Sequence, residues 1–148
     1  MTSPSISPQA RLAELDPRAP VPLLPMMAWH QKQNMMQHLV AVQQVVAGVA
    51  EEDWGAVQAA AASIGSSPQM SKMCEHMGAG APGFTAAALD FHRKADTIVQ
   101  AASRKSRGEV LRATAQTLEA CTQCHATYRQ QVVDGTAWPG PAPHPPPH

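Results

Sequence analysis

EACTQCHATYRQQ, residues 119–131, places two cysteines three positions apart and a histidine directly after the second. The pattern C-x-x-C-H has three chemical interpretations: a thiol–disulfide pair, part of a zinc site, or the attachment point of a c-type haem. Each interpretation requires a different structure around it. The rest of the chain therefore decides both the chemistry of this stretch and the fold that carries it.

Both ends of the chain differ in composition from the middle. Prolines recur throughout residues 1–24, and GTAWPGPAPHPPPH closes the chain. Proline lacks the amide donor that regular elements need, so residues 1–24 and 134–148 are predicted to be extended or disordered flanks. The tail residues His144 and His148 are expected to be solvated. This leaves residues 25–133 as a single folded domain.

The central region shows helical rather than strand periodicity. A first helix is predicted from about residue 26 to 50, with one apolar stripe formed by Met35, Leu39, Val42, Val46 and Val49. A second helix begins near EEDW at 51–54, and PQMSKMCEHMG at 68–78 predicts a short helical turn. GAGAPG at 78–83 is a clear break between helices.

Two further helices follow the break. The third carries an apolar face of Phe84, Ala88, Phe91, Ala95, Ile98 and Ala102. The fourth begins near Gly108 and presents Leu111, Leu118, Cys121, His125, Tyr128 and Val132. Four amphipathic helices with short connections predict an all-α fold, an antiparallel four-helix bundle.

Charge and hydropathy exclude several classes of function. Lys plus Arg equals Asp plus Glu at 11 each, without runs of one sign, which argues against a nucleic-acid partner. No apolar stretch approaches the roughly 20 residues that a membrane span needs. The segment VPLLPMMA at 21–28 is too short and too rich in proline to be a convincing export signal.

The helical context selects one interpretation of C-x-x-C-H. A thioredoxin-type pair belongs at a helix start after a strand, and structural zinc needs four ligands, whereas here only Cys74 remains. At about 100° per residue, Cys121, Cys124 and His125 project within one arc of about 100°. Both thiols can bond to one porphyrin while His125 binds its iron, so the sequence predicts a covalent haem c. The haem would also enlarge a core that is poor in aromatic side chains.

CHATYR at 124–129, on the last helix of a predicted all-α bundle, resembles the cytochrome c′ superfamily. The similarity extends over about residues 25–133. It implies that Cys121 and Cys124 bind haem, that His125 is the proximal ligand, and that Arg129 lies near the proximal imidazole. It further implies export to the periplasm, redox partner proteins there, and a homodimer formed through the first two helices.

The sixth coordination position separates two functions within that family. An apolar side chain over the iron implies gas binding, whereas a methionine ligand from the first helix implies electron transfer and a raised potential. Met35 lies on the apolar stripe, so it is either a core side chain or the distal ligand, ahead of Met36. His38 lies at the edge of the stripe and is a further candidate. His92 is expected to form a hydrogen bond at the bundle surface.

A second set of soft ligands lies outside the haem motif. Met70, Met73, Cys74 and Met77 share one helical face, with His76 beside them. Thioether and thiolate ligands suit Cu(I), although methionines also fill irregular cores. The function predicted from the whole sequence is single-electron transfer by a periplasmic monohaem cytochrome rather than enzymatic catalysis. Binding of nitric oxide or carbon monoxide, and copper handling, are the alternatives.

Overall fold

The computed structural model describes residues 5–140, which are mostly helical. The elements are α1 (Pro8–Leu15), β1 (Ala19–Leu23), α2 (Pro25–Ala50), α3 (Trp54–Ala62), α4 (Pro68–Met77), α5 (Phe84–Ser103), α6 (Arg107–Thr127) and β2 (Tyr128–Val132). The predicted predominance of helix is therefore confirmed. No helix within residues 5–140 has the combination of length and apolar character that a bilayer span requires.

Local signals set the helix starts. Ser7, Asp53, Ser67 and Ser106 each accept a hydrogen bond from a backbone N–H in the first turn of the following helix. Gly83 precedes α5 with φ of 83°, a left-handed conformation that favours glycine. The predicted break at 78–83 is confirmed, and the short helical turn predicted before it is the ten-residue helix α4.

Helices α2, α3, α5 and α6 pack in succession, with the most extensive interface between α5 and α6 and a smaller one between α2 and α6. One core cluster joins the C-terminal half of α2 to α3, the end of α5 and the start of α6. Helices α2 and α3 pack closely at Gly48, which has no side chain. A Cβ at this position would lie only 2.8 Å from a Val57 methyl group. The opposite ends of α2, α5 and α6 surround a cavity instead.

The prediction that the N-terminal flank contains no regular element is wrong for residues 8–15 and 19–23. Pro8 lies in the first turn of α1, where a missing amide costs nothing. Strand β1 pairs in parallel with β2, from Ala19 opposite Tyr128 to Leu23 opposite Val132. Pro20 and Pro22 alternate with Val21 and Leu23, which are 2% and 0% exposed and form the apolar face of the strand. The two prolines lack backbone N–H donors, which an edge strand tolerates.

The predicted fourth helix was too long at its C-terminal end. It ends at Thr127, and Tyr128 is already extended, with φ −121° and ψ 149°. The Tyr128 hydroxyl donates to the Pro82 carbonyl oxygen at 2.8 Å, and the chain then continues as β2. In the sequence, Tyr128 and Val132 continue the apolar spacing of the helix. Pairing of this segment with β1 nevertheless makes it a strand.

The C-terminal flank is also partly ordered. Asp134 accepts hydrogen bonds from the backbone N–H groups of Thr136 and Ala137, which forms a turn. Trp138 then packs at 8% exposure into a core cluster with β1, α2 and α5. The prediction of a disordered tail is thus wrong for residues 134–140, while His144 and His148 lie outside the described residues.

The inward face of α2 differs from the predicted stripe. Ala41, Val45 and Gly48 are buried along with Val42 and Val49. Val46 is exposed, because the close contact with α3 is made through small side chains on the neighbouring face. Met35 and Leu39 are exposed towards the cavity rather than packed into the core.

Candidate functional site: a cavity at the C-x-x-C-H motif

A cavity of about 910 Å³ lies between the N-terminal halves of α2 and α5, helix α4 and the C-terminal half of α6. This volume is within the usual range for sites that hold small molecules and cofactors. Apolar side chains dominate the walls, among them Leu12, Leu39, Val42, Phe84, Phe91 and Leu118. The cavity separates α2 from α6, which accounts for their limited contact.

All three residues of the motif border this cavity. Cys121 and Cys124 are half-buried and form no disulfide, and His125 is exposed. Burial raises the pKa of both thiols, and the proximity of Cys121 further raises that of Cys124. The thiols are therefore protonated at neutral pH and are not poised as thiolates for disulfide exchange.

Arg129 borders the cavity next to His125 and has an unusual environment. Its Nε is buried and has no hydrogen-bond partner among the described residues. A buried donor of a cation that forms no hydrogen bond costs folding free energy, so an acceptor near this atom would be stabilising. Arg129 also borders the cavity, so a carboxylate that enters it could pair with the guanidinium.

The N-terminal segment reaches the motif through Arg18, which the sequence analysis did not identify. The Arg18 guanidinium donates to the backbone oxygen of His125 at 3.1 Å and forms two bonds to the Asp16 carboxylate, at 2.9 and 2.7 Å. This pairing lowers the pKa of Asp16 to about 2. Arg18 thus fastens the segment before β1 to the end of α6, and only the pairing of β1 with β2 brings the two together.

Helix α2 presents three candidate iron ligands to the cavity, Met35, Met36 and His38. Met35 is 38% exposed and Met36 is 59% exposed. The His38 ring stacks on Phe91, with centroids 4.6 Å apart. Burial, together with a smaller effect of His92, lowers the pKa of His38 to about 4, so the imidazole is neutral at pH 7.

His92 is not at the surface, as expected from the sequence, but is 3% exposed. Its Nδ1 lies 2.8 Å from the Ile64 carbonyl oxygen, which can only accept, so Nδ1 carries the proton and Nε2 the lone pair. Burial lowers the pKa of His92. Its ring meets that of His38 edge to face, with 5.5 Å between centroids.

The sulfur side chains of α4 form another part of the wall, since Met70, Met73, Cys74 and Met77 all border the cavity. Met73 Sδ accepts a hydrogen bond from the Asn34 amide at 3.3 Å. His76 instead packs edge to face against Trp138, with 5.0 Å between ring centroids. Within the part of the chain that the structure describes, His, Cys, Asp and Glu form no metal-binding group of three or more.

These features fit a haem. The cavity is large and mainly apolar, two thiols and an imidazole border it from one helix, and the half-buried Arg129 lies at its edge, where it could pair with a haem carboxylate. Comparisons with protein-family models, curated proteins and solved structures find no match to this chain. The geometry of the cavity is therefore the basis for inferring function.

Proposed function

We propose that the protein is a monohaem c-type cytochrome with a four-helix-bundle haem pocket, and that it transfers single electrons. The observation that carries this proposal is the opening of Cys121, Cys124 and His125 into one apolar cavity. Cys121 and Cys124 would hold the haem through thioether bonds, and His125 would bind the iron. When bound, the haem supplies the redox centre.

The protein side chains have separate roles in this proposal. Arg129, which borders the cavity, would pair with a haem carboxylate. Arg18 fixes the backbone at His125. The apolar walls exclude water, which keeps the local dielectric low and influences the reduction potential. The sixth ligand comes from α2, where Met35 and His38 both border the cavity.

The resemblance to the cytochrome c′ superfamily extends the proposal to location and partners. Because a c-type haem is attached outside the cytoplasm in that family, we place the protein in the periplasm. Its partners there would be redox proteins and a second copy of the chain. Gas binding by a five-coordinate haem is the alternative function for the same cavity.

An absorption spectrum of the haem-loaded protein tests electron transfer against gas binding. We expect low-spin spectra in both oxidation states and a ferrous form that carbon monoxide does not alter, because α2 supplies a sixth ligand. A high-spin ferrous form that binds carbon monoxide readily would contradict electron transfer and would support gas binding instead. The matched control is His125→Ala, which should lose the native spectrum.

Copper handling is a second candidate, since the four sulfur side chains of α4 share one wall of the cavity. Soft sulfur ligands of this kind select Cu(I). Titration with Cu(I) should then show binding to the wild type and at least a tenfold weaker binding to Cys74→Ser. Equal, weak binding by both proteins would exclude this candidate.

A further inference from the structure

His38 of α2, which is half-buried, and His92 of α5, which is buried, have no role in a pocket whose sixth ligand is methionine. His38 and His92 both border the cavity, yet they come from different helices and are 54 positions apart in the sequence. Buried polar side chains are costly unless they are hydrogen-bonded or coordinate a metal. Only one ring nitrogen of the pair, Nδ1 of His92, has a protein partner within residues 5–140.

The His92 ring has the arrangement that supports metal-binding histidines. A ligand histidine is usually oriented by a second group that fixes its tautomer and its ring plane. His92 is fixed in this way by the Ile64 carbonyl oxygen and turns a lone pair, on Nε2, away from it. The His38 ring lies edge to face with that of His92, 5.5 Å between centroids, and no hydrogen bond joins the two rings in this structure. A slightly closer approach of His38 would allow Nε2 of His92 to accept its N–H.

His38 is better prepared to bind iron than Met35. Its ring is held by stacking on Phe91, which belongs to the core cluster against which Cys121 packs. The Met35 side chain is 38% exposed and forms no hydrogen bond among the described residues.

We propose that His38, and not Met35, is the sixth ligand of the haem iron, and that His92 is the positioning residue that orients it. One nitrogen of His38 binds the iron while the other donates to Nε2 of His92, which in turn donates from Nδ1 to the Ile64 carbonyl oxygen. This inference rests on the proposed haem function. It implies a lower reduction potential than a histidine–methionine pair would have.

Matched substitutions on α2 test the assignment. His38→Leu should convert the ferric protein from low-spin to high-spin and should raise its affinity for carbon monoxide at least tenfold. Met35→Leu, one turn away on the same helix, should remain low-spin with unchanged gas affinity. Added imidazole should restore the low-spin spectrum of His38→Gly, a result that a merely structural role would not produce.

His92→Phe tests the positioning role. It should retain covalent haem but show a shifted reduction potential and a mixture of spin states, because His38 loses its acceptor. Loss of the low-spin spectrum in Met35→Leu, with His38→Leu unchanged, would overturn the inference while leaving the haem assignment intact. A wild-type protein without covalent haem would instead overturn the proposed function, and this inference with it.

Discussion

At the scale of single residues, the site depends on contacts between distant parts of the sequence. Arg18 binds the carbonyl oxygen of His125, 107 positions away, and simultaneously holds Asp16. A guanidinium can do this because its donors form a planar fork that serves several acceptors at once. The N-terminal segment is therefore part of the environment of His125, and its charge pair should influence stability.

Asp16→Asn should make the protein less stable at pH 7 but change little near pH 2. Arg18 lowers the pKa of Asp16 from 3.8 to about 2, so the ionised carboxylate stabilises the folded state. Since the folded-state pKa lies below the unfolded-state value, this stabilisation is complete above about pH 4 and is lost as the pH falls towards 2. Urea unfolding at both pH values measures the difference.

Glu14→Gln is the matched control for this prediction. Glu14 pairs with Arg11 at the exposed surface of α1, the short helix that Asp16 follows. Loss of this exposed pair should alter stability little at either pH. An Asp16→Asn variant that is destabilised equally at both pH values would show that the Arg18 pair does not stabilise the fold.

At the scale of elements, the start of α5 and the end of α6 constrain each other. Gly83→Ala should lower the free energy of unfolding by about 1–2 kcal/mol from backbone strain alone, because its φ is 83°. The new Cβ would also lie 2.6 Å from the Tyr128 hydroxyl oxygen. Chemical denaturation measures the loss, and Gly135→Ala, with no atom within 4 Å of its Cβ, is the control.

Equal stabilities of these two glycine variants would contradict the close approach of Gly83 to Tyr128. We expect Gly83→Ala, in addition, to displace the Tyr128 ring, which packs edge to face on Phe84 with 5.5 Å between centroids. Both rings border the cavity, so a change in this contact should alter the haem spectrum as well.

Strand β1 is expected to be integral to the fold rather than an attached flank. Leu23→Ala should cost about 2–4 kcal/mol of unfolding free energy, since Leu23 is 0% exposed and its removal leaves a cavity. Leu15→Ala, at a position that is 66% exposed in α1, should have little effect. Denaturation midpoints of the two variants make the comparison, and a harmless Leu23→Ala would show that β1 is not packed as described.

Periodicity and break residues predicted the helices of the central region well, because both signals are local. The prolines of the N-terminal flank led to the wrong prediction that it has no regular structure. A proline is tolerated in the first turn of α1 and at alternate positions of β1. For the candidate site, the sequence pointed to C-x-x-C-H and Met35, and these residues border one cavity. Arg18 and His92 are positioned by tertiary contacts that no sequence spacing reveals.

At the scale of the whole molecule, the protein has two unlike ends. One end has a continuous core of small apolar side chains from α2, α3, α5 and α6. The other is built around the cavity of about 910 Å³, with β1, β2 and Trp138 packed beside it. Only 4% of the residues are aromatic, and the haem that we propose would supply the large apolar group at this second end.

The intact mass of the denatured protein tests the haem assignment most directly. The protein should be produced in a host that attaches c-type haem, next to Cys121→Ala/Cys124→Ala as the control. We predict that the wild type carries the additional mass of one haem and that the double variant has its unmodified mass. An unmodified wild type, or a double variant that keeps a covalent haem, would contradict the assignment.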